Sequence, residues 1–185
     1  MLGTHVAYLR ATIAHGTNDL DRALDIYEMI YSSIPSPDSE LSMICKLNSI
    51  FILRSRDPQK AELLMSEVDK RCSSAKNMLI KAAYMVVKAT EKGELVKTKN
   101  YLSMALQLAT QTTNQQLTFI VLSFMCHRFF SGVVSDQAEK SAKAALQNAS
   151  RGRDSLWTLV AGEMYAGKLL PSLSQVSYGA DPDDF

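Results

Sequence analysis

Apolar residues recur along the chain at helical spacing, in stretches separated by short breaks that carry Gly, Pro, Asn or Asp. Val6, Leu9 and Ile13 lie before Gly16, and Leu20, Ala23, Leu24, Tyr27 and Ile30 lie after it. Both sets follow the i, i+3, i+4, i+7 rule of an amphipathic helix. Gly16 to Asp19 joins them as a hairpin. Pro35 and Pro37 end the second helix, because proline lacks a backbone donor and disfavours helical geometry in its predecessor. The same reading predicts helical hairpins over about 2–34, 39–72, 77–110 and 114–150. Asp57 is the expected N-cap of the helix that opens on Pro58. A capping helix over 154–169 and a polar tail over 171–185 complete the pattern, so residues 1–170 form one array.

The second helices of the hairpins carry a repeat. A residue able to pack closely is followed one turn on by a second residue, bulky in most units: Ala23 and Tyr27, Ala61 and Met65, Thr98 and Leu102, Ala138 and Ala142. The first members are separated by 38, 37 and 40 residues. A small side chain there lets two helices approach, and the following one fills the space toward the next hairpin. Ala23, Tyr27 and Pro35 fit the A-x3-F…P half of the tetratricopeptide (TPR) pattern, while the Trp-Leu-Gly-Tyr half is absent from the first helices. The expected fold is all-α, a TPR-like solenoid of four hairpins and a cap.

Charge and composition narrow the function. Among 185 residues, 20 Lys+Arg oppose 19 Asp+Glu, a formal net charge of +1, so no overall field steers the chain to nucleic acid or an anionic membrane. The uncharged stretch from Asn100 to Cys126 is broken by Thr110 to Gln116, and neither half reaches the roughly 18 apolar residues of a membrane span. Cys45, Cys72 and Cys126 are odd in number and form no CxxC pair, which points to reduced thiols in a cytosolic or nuclear protein. The amino terminus carries no basic segment followed by a long apolar core, as a signal peptide would.

No phosphate loop, GxGxxG, GxSxG or HExxH occurs. His127 follows Cys126 directly, and adjacent helical residues point about 100° apart, so the two cannot hold one ion together. The expectation is a protein with no catalytic residues, no metal, no cofactor and no small-molecule substrate. Binding has a physical route instead. In a TPR-like array the first helices line a groove, and transferring that geometry selects Tyr8, Thr12, Met43, Lys46, Ile50, Ile80, Ala83, Val87, Ser123, His127 and Phe130. This mostly apolar set suits an extended, largely apolar segment of another protein. Lys140, Lys143, Arg151 and Arg153 form a basic group, a candidate contact to chromatin or an acidic partner.

The fourth unit becomes specific enough to suggest a family. ALQLA (Ala105 to Ala109), NQQL (Asn114 to Leu117), SDQAEKSAKAA (Ser135 to Ala145) and the Leu156-Trp157 pair resemble the carboxy-terminal portion of the cohesin loading factor family, in its fungal form. That family is the TPR subunit of the sister-chromatid cohesin loader. The second half of the chain carries the resemblance, and the first 90 residues are compatible with it as generic hairpins. The resemblance implies a nuclear, non-catalytic scaffold whose array wraps a segment of a large HEAT-repeat loader subunit. Cohesin would be met indirectly and chromatin through partners, with no membrane involved. A TPR adaptor of a proteasome, signalosome or anaphase-promoting assembly is the alternative that helical hairpins alone leave open. The first helix begins close to Met1 with no polar helix before it, which suggests the end of a longer array or a shortened gene model.

Overall fold

The computed structural model describes residues 2–36, 38–91 and 94–130, together with residues 140, 143, 144, 146, 147, 150 and 151. Among these residues the protein is all-α, with seven helices and no strand. They are α1 (Leu2–Gly16), α2 (Leu20–Ser33), α3 (Glu40–Arg56), α4 (Pro58–Ser74), α5 (Met78–Ala89), α6 (Leu95–Gln111) and α7 (Gln115–Phe130). The described residues between 140 and 151 are helical too. The expected cap over 154–169, the tail over 171–185 and the Ala138–Ala142 pair lie outside the described residues. The chain divides into two compact units, Met1–Ala105 and Leu106–Phe185.

Local chemistry sets the breaks. After α1, Asn18 takes the left-handed conformation with φ 63°. The Asp19 N–H then donates to the Ala14 carbonyl at 2.8 Å and the Asn18 N–H to that of His15 at 3.1 Å, a Schellman closure. Thr113 repeats the device after α6 with φ 54°, where a β-branched side chain is strained. At the start of α4 the Asp57 carboxylate accepts from the Lys60 N–H at 3.0 Å, with Pro58 in the first turn. Asn77 accepts from Leu79 N–H at 2.9 Å at the start of α5, and Asn114 from Leu117 N–H at 2.8 Å at the start of α7. Each cap satisfies an amide that the first turn would otherwise leave unpaired, a contribution of about 1 kcal/mol.

In the first unit α1 packs on α2, α2 on α3, α3 on α4, and α5 on both α3 and α4. Two apolar clusters result. One joins Ala11 and Ala14 of α1 and Ala23, Tyr27 and Ile30 of α2 to Cys45 and Ile52 of α3. The other joins Met43, Leu47, Ile50 and Leu53 of α3 to Leu64, Met65 and Val68 of α4 and to Ile80, Tyr84 and Val87 of α5. Each large aliphatic side chain so buried contributes about 1.5–3 kcal/mol. The described members of the paired positions read from the sequence are interior: Ala23, Tyr27, Ala61, Met65, Thr98 and Leu102 are buried. In the second unit Phe119 and Leu122 of α7 form a smaller cluster with Leu106, Ile120, Ala144 and Leu146 around them.

Polar contacts tie the same helices at their edges. Asp21 of α2 pairs with Arg56 of α3, Glu28 of α2 with Lys60 of α4 at 3.2 Å, and Asp38 with Arg71 of α4 at 3.3 Å. These are exposed, and each contributes at most about 1 kcal/mol. A more enclosed network joins α3, α4 and α5. Glu91 accepts from Arg54 at 3.1 Å and from Lys88 at 2.8 Å, and Lys88 lies 3.6 Å from Asp69. The Tyr84 hydroxyl donates to Asp69 at 2.7 Å. Burial acts to lower the Lys88 pKa, but the hydrogen bond and charge of Glu91 and the charge of Asp69 outweigh it and the net shift is upward.

Candidate partner-binding strip on the first unit

The residues expected to line a groove separate into distinct groups. Met43, Ile50, Ile80 and Val87 are 0–6% exposed and belong to the α3–α4–α5 cluster, so they hold helices together and do not face a partner. Lys46 is turned the same way. Its ammonium pairs with Glu67 of α4 at 2.6 Å and sits 5.3 Å above the Tyr31 ring of α2. On α3 it lies about 140–200° round from Ile44, Asn48 and Phe51 at 100° per residue. The expected register on α3 therefore selected its packed side.

Tyr8 and Thr12 of α1 and Ala83 of α5 are half-buried. Thr12 donates its hydroxyl back to the Leu9 carbonyl at 2.8 Å. Ser123 of α7 belongs to the second unit and is half-buried, with its hydroxyl oxygen buried and unpartnered. The side chains of His127 and Phe130 lie outside the described residues. Of the basic group, Lys140, Lys143 and Arg151 are exposed helical residues, and Arg153 lies outside the described residues.

The half-buried positions of α3 are Leu41, Ile44, Lys46, Asn48, Phe51 and Arg54, and all but Lys46 follow the i, i+3, i+4 rule and mark one strip. On α1 the corresponding residues are Tyr8, Thr12 and His15. The two strips meet. The His15 and Phe51 rings are 6.1 Å apart and tilted by 49°. Beneath them lies Tyr27 of α2, edge-on to His15 at 6.3 Å and tilted against Tyr8 at 6.1 Å. Asn48 adjoins both tyrosine hydroxyls and favours their ionised forms slightly, yet burial dominates and raises both pKa values. The Tyr27 hydroxyl is buried and completes no hydrogen bond of good geometry. Burial also lowers the His15 pKa, so the imidazole stays neutral at physiological pH. From Leu41 to Phe51 the strip is uncharged and aromatic-walled, with Asn48 as a polar group, and Arg54, paired with Glu91, closes its end. Among the described residues no three His, Cys, Asp or Glu side chains gather as metal ligands, and no helix is long and apolar enough to cross a membrane.

His15, Ile44, Asn48 and Phe51 were not among the expected lining residues. The sequence of α3 gives no clear signal for this side, because polar residues fall on its buried side as well, at Ser42 and Ser49.

No curated protein and no solved structure matches the chain. The family described as cohesin loading factor matches residues 1–170. The match includes the amino-terminal hairpins, where the sequence offered only generic helical features, and it sets the chain apart from adaptors of other assemblies. The chain belongs to the cohesin loading factor family, and its work is in cohesin loading.

Proposed function

We propose that the chain is a non-catalytic scaffold built as a TPR-like helical-hairpin solenoid. The strip of α1 and α3 holds an extended and largely apolar segment of the large HEAT-repeat subunit of the cohesin loader. Membership of the family implies partnership within the loader and chromatin-related work in the nucleus. The observation that carries the finer reading is the strip itself. Tyr8, His15, Ile44 and Phe51 are half-buried, uncharged and only partly covered by the chain. An apolar surface with a few convergent polar groups is what an extended segment recognises. In this reading the cohesin ring and chromatin are reached through the HEAT-repeat subunit, which supports sister-chromatid cohesion.

The test is co-purification from cells, followed by binding of overlapping peptides that cover the HEAT-repeat subunit. Recovery of that subunit with cohesin, and capture of one peptide by the full chain, supports the reading. Recovery of neither overturns it. The exposed Lys140 and Lys143 offer a separate contact to an acidic partner or to chromatin. Reversing both to Glu is expected to weaken chromatin association in a salt-dependent manner while the HEAT-repeat subunit still co-purifies. Unchanged association at low salt would remove the basic group from the account.

A further inference from the structure

We infer that Ser36 is a phosphorylation site for a proline-directed serine/threonine kinase, and that Arg71 of α4 takes up the phosphate it gains. The inference is independent of the strip on α1 and α3. Of the five prolines only Pro37 follows a serine or threonine, so Ser36-Pro37 is the single dipeptide of that kind in the chain. Ser36 is exposed and non-helical, in the connection between α2 and α3. A kinase must draw its acceptor into an open cleft, and a surface connection yields to that more readily than a packed helix. The surroundings of Ser36 then favour the anion that results. The Ser39 N–H donates to the Ser36 carbonyl at 3.2 Å, closing a turn that brings Ser36 to the start of α3. Ser39 is the N-cap of that helix and makes no side-chain cap. The first intrahelical bond runs from the Met43 N–H to the Ser39 carbonyl at 2.9 Å, so the amides of Glu40, Leu41 and Ser42 precede it without helical acceptors.

Within the same turn Asp38 pairs with the Nε of Arg71, in the last turn of α4, at 3.3 Å. Arg71 and Lys76 share a cavity of about 450 Å³ with Asp38 and Glu40, and Glu40 is engaged by the Asn77 amide nitrogen at 3.0 Å. In the transfer the Ser36 Oγ bonds to the γ-phosphorus of ATP as the bridging P–O bond breaks. ADP leaves and the hydroxyl proton passes to the kinase. The phosphoserine carries a charge of about −1.5 to −2 and three acceptor oxygens, against one charge on Asp38. It therefore displaces Asp38, which is exposed and turns to water, from the Arg71 guanidinium, whose planar fork gives two parallel hydrogen bonds. The dipole of α3 favours the same anion. The result is a clasp that fastens the α2–α3 connection to the end of α4.

The full chain is recovered from growing cells with phosphatases inhibited and mapped by mass spectrometry, beside purified chain treated with a proline-directed kinase and MgATP. Phosphate on Ser36 is expected in both, and in neither after Pro37→Ala. At low salt the phosphorylated chain is expected to melt about 2–4 °C above the unmodified one, the size of one charge-assisted contact in a chain of this length. Arg71→Ala removes only an exposed ion pair and is expected to fold. It should abolish that rise in melting temperature. In phosphorus NMR it should also raise the pH at which the phosphate dianion protonates, ordinarily about 6, because the neighbouring cation that favours the dianion is gone. Chain from cells without phosphate on Ser36 overturns the site. A melting rise and a titration midpoint that are the same in Arg71→Ala overturn the clasp.

Discussion

Replacing Ile50 with Asp is expected to unfold the first unit, with loss of the helical circular dichroism signal at 25 °C. Ile50 is 0% exposed and belongs to the apolar cluster with Leu47, Leu64, Met65 and Val87. Removing the aliphatic side chain alone costs about 2–5 kcal/mol in a core that cannot collapse fully, and a buried unpaired charge adds several more. Together these rival the whole stability of an ordinary domain, about 5–15 kcal/mol. Ile50→Val, which deletes one methyl group, should cost only about 0.5–1.5 kcal/mol in urea denaturation and leave partner capture intact. A well-folded Ile50→Asp chain would show that the cluster around α3 is not the core. The position therefore reports on folding.

The second large effect is alkaline instability. Burial raises the Cys45 thiol to about 12 and the Cys72 thiol to about 11, and it raises Tyr31 to about 12. Tyr27 and Tyr84 rise further still, Tyr84 through burial first and then its hydrogen bond to Asp69. In each case the folded chain holds its proton at a pH where the unfolded chain has released it. The unfolded state then binds fewer protons, so stability falls with rising pH. The contribution is intact below the unfolded values of 9.0 for the thiols and 10.0 for the phenols. It is lost progressively as pH rises toward the folded ones. Lys88 adds to the loss, because its raised pKa means that its ion pairs also fail at high pH. With both thiols 0% exposed, the combined effect between pH 8 and pH 11 is on the order of several kcal/mol. Urea titrations at pH 8, 9.5 and 11 should show a falling midpoint. The Cys45→Ala, Cys72→Ala pair should shallow the early part of that fall. A midpoint independent of pH up to 11 would mean that these thiols and phenols are not enclosed.

The two predictions show where the sequence was legible. Helix limits were, because they depend on local chemistry: Asn18 can adopt positive φ, Asp57 and Asn77 can cap, and Pro58 fits a first turn. The paired small and larger positions of α2 and α4 were legible too, since Ala23 and Ala61 each stand in the apolar phase of a helix whose other side is charged. The facing of α3 was not. Leu41, Met43, Ile44, Cys45, Leu47, Ile50, Phe51, Ile52 and Leu53 make it apolar nearly all round, because α2, α4 and α5 all pack against it. A helix buried on several sides has no single apolar stripe from which to read a phase. Lys46 added to the difficulty, since a lysine with its stem across Tyr31 and its ammonium on Glu67 looks, in a string of letters, like an exposed one. The family signal was likewise uneven. It was visible around ALQLA and NQQL and invisible in the first two hairpins, whose residues satisfy only the general demands of helix packing.

α3 lends Cys45 and Ile52 to one apolar cluster and Leu47 and Ile50 to the other, so the two clusters share a wall. A solenoid assembled from separable hairpins could be shortened by a hairpin and keep its remainder intact. Here, trimming away α1 and α2 would strip one flank of α3 and uncover Cys45 and Ile52 together, while trimming α4 and α5 would uncover Leu47 and Ile50. Over this stretch of chain α1 to α5 therefore stand or fall together.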